Sequence, residues 1–472
     1  MRVTREGRVE RLARWATALA ERYVPDAFVF ALAATLVACV AAVAVDPAVR
    51  RAPLRLVDAW GDGFWALVPF TLQMTMMIIG GYVLATSRPV HGAIVALASR
   101  ARSPKGAVLL VALLAMLTSL LNWGFSLIFS AILAREVARR VPNADYRALG
   151  ASSFLGLGTV WAQGLSGSAA LQMATPSSMP PALAQLVGGG IPLTETIFRW
   201  QSLVCVAVEI TVVGFVVWLA APDGARARSA AELGVNLENG EGNIASPGHR
   251  MPPNPTFGDR FERSPWLLMP VVALGFVYLV HLLARRADSL VGVLNAFDFN
   301  TINLWLLMLG AAMHFTPASL LRAVRDATPA TAGVLLQFPF YAGIFGVMTG
   351  THLSESIASL FVRASNATLY PAFIVVYSAV LGVFVPSGGS KWVIEAPYVL
   401  QAARTLGVPD GWMVVTYDLG EALANLVQPF WMLPVLALLG LRARDIMGYT
   451  YLVAIVLLPV VLLLVTLLRP AT

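Results

Sequence analysis

A long apolar segment, residues 371–400, is interrupted by Val385-Pro386-Ser387-Gly388-Gly389-Ser390-Lys391-Trp392. The proline lacks an N–H and ends the incoming helix, and the glycine pair permits a sharp turn. Because lipid offers no hydrogen bonds, a non-helical backbone at membrane depth persists only where it lines a cavity or lies buried in protein. The stretch therefore predicts a membrane protein with an internal site at this break.

A second interruption lies 264 residues earlier, where Leu121-Asn122-Trp123-Gly124-Phe125-Ser126 breaks the apolar segment 106–134. Asn122 carries an amide that both donates and accepts hydrogen bonds, and Gly124 gives freedom for a turn. Interrupted apolar segments at corresponding places in two halves point to the binding site of a transporter. We therefore expect two re-entrant hairpins whose tips form that site.

The composition predicts an all-α polytopic membrane protein. Of 472 residues, 58% are hydrophobic and 12% are charged, whereas soluble domains carry roughly 25% charged residues. The mean hydropathy is +0.72. Apolar segments that can each enter or cross a bilayer recur at 26–45, 64–86, 106–134, 148–170, 200–220, 265–284, 301–315, 331–349, 371–400, 412–440 and 447–468.

The basic residues predict the orientation. The net charge is +7 and the only lysines are Lys105 and Lys391. The arginines stand in short loops, a distribution that orients membrane proteins and does not indicate nucleic-acid binding. Basic clusters flank segment 106–134 on both sides, so both are cytoplasmic if it turns back, while the charge-poor flanks of 371–404 suit entry from outside. We predict nine spans and a cytoplasmic, basic, partly amphipathic N-terminal helix in residues 1–24.

One polar stretch, residues 222–264, divides the chain and is predicted to be a flexible cytoplasmic linker. It separates an N-terminal half, 1–221, from a C-terminal half, 265–472. Each half holds a span, a loop, a hairpin and a further span in the same order, at about 64–170 and 328–440. The topology count gives the two copies opposite directions, which predicts inverted repeats and alternating access by an elevator-type motion.

The second tip carries candidate ligands for an anion. Ser387 and Ser390 supply hydroxyls, and a helix that starts near Lys391 directs its N-terminal amides toward the tip, alongside Pro386, Gly388 and Gly389. Carbonyls freed by the break can instead coordinate a cation, and a kinked helix packed on a small neighbour remains the alternative. Lys391 either counters an anionic substrate, extends to the membrane interface, or is neutralised by Glu395 one turn on.

The remaining candidates flank breaks elsewhere. The first tip contributes Asn122, Trp123 and Gly124, and the span after it contains Ser166, Gly167 and Ser168. In the second half, Glu421, Asn425 and Gln428 recur at spacings of four and three, which places them on one helical face. This pattern indicates a binding face or interhelical hydrogen bonds. Glu421 is a candidate for the coupling proton or cation, Glu209 is expected to be structurally paired, and Asp418 is expected near the solvated outer boundary.

Several classes of protein are disfavoured. The five histidines are scattered, the two cysteines lie in apolar segments, and no metal, phosphate-loop or serine-hydrolase motif occurs. We expect no cofactor and no enzymatic activity, and a gradient-driven carrier fits better than an ATP-driven pump. A membrane-embedded enzyme on lipid substrates would show clustered acids or histidines at one interface, and a passive channel would show uncoupled flux.

The motifs resemble those of the AtoE-type short-chain fatty acid transporters, in the right order over nearly the whole chain. The residues that carry the resemblance are Trp60–Trp65, Asn122–Phe125, Ala134–Pro142, Gly164–Ser168, Gln337–Gly343, Val385–Gly389, Gln428–Trp431 and Arg444–Tyr449.

The resemblance implies uptake of short-chain monocarboxylates such as butyrate or acetoacetate across the bacterial inner membrane, by symport with H⁺ or Na⁺. It also implies membership of the ion transporter superfamily of carboxylate carriers, in which hairpin tips form the site and scaffold domains often dimerise. Sodium would then lie near Asn122, Ser387 and Ser390. The tips here differ from the Ser-Asn-Thr pattern of dicarboxylate relatives, so proton coupling stays open, and other small organic anions such as dicarboxylates are the alternative substrates. Trp123, Trp392 and Phe430 are candidates to surround the acyl chain.

Overall fold

The computed structural model describes residues 27–222, 226–237, 256–286 and 288–470, and all regular elements in these ranges are helices. The predicted N-terminal helix at 1–24 lies outside the described residues, as does most of the linker centre, 238–255. Short 3₁₀ turns join several of the helices. The chain is therefore all-helical over the part that the structure describes.

The first half contributes eleven α-helices within residues 27–221. They are α1 (Ala27–Val45), α2 (Pro47–Arg51), α3 (Leu54–Gly63), α4 (Val68–Ala85), α5 (Arg88–Ala98), α6 (Pro104–Ser119), α7 (Trp123–Arg140), α8 (Tyr146–Gly158), α9 (Ser168–Ala174), α10 (Pro181–Leu186) and α11 (Trp200–Ala220).

The second half contributes twelve α-helices among the described residues. They are α12 (Phe257–Glu262), α13 (Leu268–Ala284), α14 (Leu290–Leu294), α15 (Phe299–His314), α16 (Pro317–Ala327), α17 (Ala332–Gly350), α18 (Leu353–Ala364), α19 (Tyr370–Phe384), α20 (Gly388–Leu406), α21 (Asp410–Asn425), α22 (Leu433–Leu439) and α23 (Ala443–Leu467).

The helices of the two halves correspond in order and spacing. From α3 to α9, each helix begins 263 to 266 residues before its counterpart among α16 to α22, with α10 outside the correspondence. The contacts between helices correspond as well: α6 packs on α8 as α19 packs on α21, and α4 on α7 as α17 on α20. Across the halves, α3 packs on α17 and α16 packs on α4.

Several helices are suited to cross a membrane. Five helical segments of the described chain are long and apolar enough, and a sixth results if α21 and α22, bent by 68° at their break, count as one span. The five are Phe28–Val45, Leu54–Ala85, Trp200–Ala220, Pro317–Gly350 and Ala443–Leu467. Helices α6, α13 and α19 are apolar but shorter. The predicted multi-span, all-α membrane fold is thereby confirmed.

Two hairpins fold back at the predicted interruptions. Near the first break, Ser126 Oγ on α7 donates to the Ala115 carbonyl on α6 at 2.7 Å, although eleven residues separate them. In the second hairpin, Tyr370 Oη at the start of α19 donates to the Val399 carbonyl on α20 at 2.9 Å. Since a continuous helix would separate such pairs by about 1.5 Å per residue, each break reverses the chain.

A backbone-to-backbone crossing joins the halves where α3 meets α17. A Cβ built on Gly63 would lie 2.6 Å from Gly346 Cα and 2.7 Å from the Ala342 carbonyl oxygen, and one on Gly346 would lie 2.1 Å from the Ala59 carbonyl oxygen. Small residues allow helices in lipid to approach this closely and to gain van der Waals contact. The corresponding crossing of α16 and α4 is made instead by apolar side chains, with Ala323 and Ala327 packed beside Ile79 and Val83.

Part of the predicted linker lies against the first hairpin. Arg135 on α7 donates to the carbonyls of Asn236 at 3.3 Å and Leu237 at 3.1 Å, and also to Leu438 at 2.9 Å. At the start of α8, Tyr146 N–H donates to the Arg228 carbonyl at 2.8 Å. Residues 226–237 are therefore hydrogen-bonded to α7 and to the start of α8, and Arg135 also links α7 to the end of α22.

The crossing of α3 and α17 predicts unequal effects of two glycine substitutions on one helix. We expect Gly63→Ala to destabilise the protein by about 1–3 kcal/mol, because the added methyl group overpacks against backbone. Gly61→Ala is the matched control, since a Cβ there meets nothing within 4 Å and alanine favours helix. Thermal unfolding of the purified variants in detergent measures both. Equal melting temperatures for the two variants would contradict the close crossing.

Candidate functional site

A cavity of about 210 Å³ lies where the interrupted helices meet. Its wall combines the tip of the first hairpin, the break after α8, the tip of the second hairpin and the break after α21, closed by α4 and the start of α17. The lining residues are Met74, Trp123, Leu157, Trp161, Ser168, Pro329, Ala330, Gly333, Val334, Gln337, Phe338, Pro386, Ser387, Gly388, Gly389, Glu421, Asn425, Phe430 and Trp431.

The first tip is closed by side chains that satisfy its backbone. Asn122 is the N-cap of α7, and its Oδ1 accepts from Phe125 N–H at 2.6 Å. Trp123 N–H donates to Ser166 Oγ at 2.9 Å. These bonds satisfy backbone N–H groups at the start of α7, which have no acceptor within the helix. They also tie the tip to the break after α8, where Leu165 N–H donates to the Leu120 carbonyl at 2.7 Å.

The second tip presents its helix start to the cavity. Helix α20 begins after Ser387, whose side chain makes no capping bond to the helix and instead lies 2.5 Å from the Ser390 hydroxyl. Gly388 and Gly389 line the cavity at this end. An uncapped helix N-terminus carries positive partial charge and favours an anion. The two tips therefore differ: the first is internally satisfied, and the second faces the cavity.

Trp431 holds the two tips together. Its Nε1–H donates to the Pro386 carbonyl at 2.9 Å, and its ring packs edge-to-face on Trp123 with centroids 5.1 Å apart. Trp161 in turn packs edge-to-face on Trp123 at 6.4 Å. Among the described residues, neither Trp123 Nε1–H nor Trp161 Nε1–H has a hydrogen-bond partner, although both are buried. Two unpaired donors thus belong to residues of the cavity wall.

A buried ion pair lies behind this wall. Lys391 Nζ is 2.6 Å from Glu421 Oε2 and donates to the Ser378 carbonyl at 2.7 Å. It also lies 4.9 Å from the centre of the Tyr417 ring, a cation–π distance. Tyr417 Oη donates to the Gly388 carbonyl at 2.5 Å. The hairpin tip is thereby coupled to the charged cluster through α21.

The structure separates the predicted site residues into two groups. Eight line the cavity: Trp123, Ser168, Pro386, Ser387, Gly388, Gly389, Glu421 and Asn425. The other seven lie off its wall: Asn122, Gly124, Ser166, Gly167, Ser390, Lys391 and Gln428. Several of the second group shape the breaks; for example, Gln428 Oε1 accepts from Phe430 N–H at 2.6 Å. Of the three residues predicted to bind sodium, Ser387 lines the cavity, and Asn122 and Ser390 do not.

One sequence-based expectation is corrected, one alternative for Lys391 is excluded, and one candidate residue lies away from the cavity. Asp418 is only 1% exposed and is buried within the protein, so the expected solvated boundary position is wrong. Lys391 is 2% exposed and paired with Glu421, which excludes extension to the interface. Trp392 is fully buried against Tyr417, with ring centroids 4.6 Å apart, and does not line the cavity. Glu209 is paired as expected, accepting from Gln163 Nε2 at 3.3 Å.

Sequence reasoning did not single out one whole wall of the cavity. This wall is formed by the segment that joins α16 to α17 and by the first part of α17; its residues are Pro329, Gly333, Gln337 and Phe338. The only local signal was a proline near the start of this segment, together with the Gln337–Gly343 motif. Trp161 also went unassigned, because its position beside Trp123 depends on how the break after α8 folds.

Comparison with known proteins gives a consistent result. A profile of the family described as "Short chain fatty acid transporter" matches residues 8–468. A candidate short-chain fatty acid transporter of Escherichia coli K12 is 35% identical over 441 residues, covering 93% of this chain and 96% of that protein. A relative with the same description from Haemophilus influenzae Rd is 33% identical over 454 residues, with the same coverage.

Two solved structures share the fold. The YdaH transporter of Alcanivorax borkumensis aligns with a TM-score of 0.55 at 15% identity, covering 98% of this chain and 97% of that one. MtrF of Neisseria gonorrhoeae, described within a class of antimetabolite efflux pumps, aligns with a TM-score of 0.60 at 11% identity, covering 96% and 97%. At these identities the likeness concerns the fold alone.

The Lys391–Glu421 pair predicts strongly non-additive stability effects. Lys391→Met should cost about 3–5 kcal/mol, because it leaves Glu421 charged and buried without its partner. The double variant Lys391→Met/Glu421→Gln should recover part of that loss, since both charges of the close pair are then removed while Glu395, 3.8 Å from the ammonium group, still loses its cation. Unfolding in detergent measures the cycle. Lys105→Met, at the chain's other lysine, is the matched control and should cost under about 1 kcal/mol; additive losses would refute the pairing.

Proposed function

The chain belongs to the short-chain fatty acid transporter family, and from this we propose that it is a cation-coupled secondary transporter of short-chain monocarboxylates such as butyrate and acetoacetate. The family is one of transporters and not of enzymes. The protein is a multi-span membrane protein with bacterial relatives, and we place it in the inner membrane with its N-terminus in the cytoplasm. The coupling cation is H⁺ or Na⁺.

The observation that carries this proposal is the set of unpaired donors around the cavity. The indole N–H groups of Trp123 and Trp161 are buried without acceptors among the described residues, and the start of α20 faces the same space. Buried polar groups are normally hydrogen-bonded, so such donors call for an acceptor. A carboxylate supplies two acceptor oxygens and forms charge-assisted bonds.

The charge around the cavity favours a single carboxylate. Among the described residues, the cation beside the cavity is Lys391, which is paired with Glu421, so the donors left for the substrate are neutral. Met74, Leu157, Val334 and Phe338 supply apolar surface to the same wall. Neutral donors at one end and apolar side chains elsewhere suit a small anion with a short acyl chain.

We also propose that the halves are inverted repeats and that the hairpins are re-entrant. The matching spacing of α3–α9 and α16–α22 supports the repeats. Helices α6 and α19 have 16 and 15 residues and reach about 24 Å at 1.5 Å per residue, less than the roughly 30 Å hydrocarbon core. The hairpins and broken helices would move together as an elevator, with the cavity at their boundary with α4 and α17.

Uptake into proteoliposomes tests the function directly. A tenfold gradient of the coupling cation is worth about 1.4 kcal/mol, so coupling one cation to each substrate should support up to about tenfold accumulation of labelled butyrate. Proton and sodium gradients are imposed separately. Protein-free liposomes are the control, because the undissociated acid crosses lipid unaided. Absence of saturable uptake under either gradient, with protein shown to be folded, would refute the proposal.

The unpaired indoles predict the effect of removing one donor. Trp161→Phe should raise the KM for butyrate about tenfold or more, since a hydrogen bond to a charged group is worth about 1.5–3 kcal/mol. Trp412→Phe is the matched control: its Nε1–H is also buried without a partner among the described residues, but it lies off the cavity wall. Initial rates of uptake against concentration give both values. Equal KM values for the two variants would remove Trp161 from the binding site.

A further inference from the structure

A second carboxylate lies on the far side of the Lys391 ammonium group. Lys391 Nζ contacts Glu421 Oε2 at 2.6 Å, the Ser378 carbonyl at 2.7 Å and Ser378 Oγ at 3.1 Å. Glu395 Oε1 is 3.8 Å from the same nitrogen, which is within ion-pair range but beyond hydrogen-bond distance. One ammonium group therefore stands between two carboxylates, closely paired with one and loosely with the other.

Glu395 itself accepts no hydrogen bond. Both of its carboxylate oxygens are buried without a hydrogen-bond partner among the described residues, and the residue is 1% exposed. Taking an ionised carboxylate out of water is costly unless donors replace the lost water. The negative charge of Glu395 thus depends on the 3.8 Å contact with Lys391 for its stabilisation. Where this contact is too weak, the carboxylate becomes neutral by binding a proton.

Among the described residues, the other titratable groups near Glu395 do not supply a positive charge in place of Lys391. Glu421 and Asp418 on α21 are both acidic. Like Glu395, Asp418 has two buried carboxylate oxygens without a hydrogen-bond partner among the described residues, but unlike Glu395 it makes no ion pair there. Within the part of the chain that the structure describes, the remaining titratable groups around Glu395 are phenols, on Tyr370, Tyr377, Tyr398 and Tyr417. Tyr377 and Tyr398 are hydrogen-bonded to each other at 2.9 Å. Lys391 is therefore the cation on which the charge of Glu395 depends.

An entering substrate changes this balance. Glu421 lines the cavity, so a bound carboxylate lies on the same side of Lys391 as Glu421. Three negative groups then share one ammonium group. Since like charges in a low-dielectric site disfavour ionisation, the more distant of the two carboxylates paired with Lys391, which is Glu395 at 3.8 Å, takes up a proton.

We propose that Glu395 is the proton-binding site of the transport cycle, and that it gains one proton each time a carboxylate substrate enters the cavity. This inference rests on the proposed function and names its coupling ion as H⁺. In the step, a proton released by the buffer acid in solution adds to a Glu395 oxygen, which neutralises the negative charge of Glu395 and leaves the buffer base in solution. The bound anion and the proton then cross together and leave together, which is symport.

Proton uptake on binding measures this site directly. Butyrate is titrated into the purified protein in detergent at pH 7.5, where the acid itself is ionised. Calorimetry in two buffers of different ionisation enthalpy gives the number of protons taken up. We expect about one for the wild type and none for Glu395→Gln. Correspondingly, the Kd should rise about tenfold per pH unit between pH 7.5 and 8.5 in the wild type and stay flat in the variant.

Two further variants keep the result interpretable. Glu395→Asp should retain proton uptake, which guards against a variant that simply misfolds. Glu209→Gln, at a buried glutamate on α11 paired with Gln163, should also retain it. Wild-type binding without proton uptake would overturn the site while leaving the transport function intact, as would unchanged uptake in Glu395→Gln or loss of uptake in Asp418→Asn alone. No binding of butyrate to the folded wild type would overturn the proposed function and this inference with it.

Discussion

The architecture depends on one constraint: a backbone that leaves the helical pattern inside a membrane must find its hydrogen bonds within the protein. The breaks of this chain satisfy that requirement by forming hydrogen bonds with one another. At the first tip, Trp123 N–H donates to Ser166 Oγ, and in the break after α8, Leu165 N–H donates to the Leu120 carbonyl. At the second tip, the Pro386 carbonyl accepts from the Trp431 indole N–H. The same convergence encloses the cavity, so the site follows from how the breaks are satisfied.

The breaks themselves were predictable because local chemistry determines them. Pro386 and the Gly388-Gly389 pair end one helix and start another, and Asn122 is a good N-cap residue. The structure places the hairpin turns at these residues. The periodic spacing of Glu421 and Asn425 likewise identified two residues that reach the cavity wall.

The remainder of the site depends on tertiary packing, which a single sequence does not encode locally. Trp161 and Gln337 reach the cavity only because the break after α8 and the start of α17 are brought beside the tips. Asp418 was misplaced for the same reason: it was expected near the solvated outer boundary, and its neighbours in space bury it. Trp392 was a candidate to surround the acyl chain, yet its ring packs on Tyr417 and does not line the cavity.

The paired crossings, α3 on α17 and α16 on α4, are the contacts that two identical subunits would make in a symmetric dimer. Identical subunits must use the same residues at both crossings, so any change is felt twice. Within a single chain that restriction does not apply. Here one crossing is a glycine contact at Gly63 and Gly346, while the other is packed with Ile79 and Val83. A substitution at either crossing of this chain therefore leaves the other crossing unchanged.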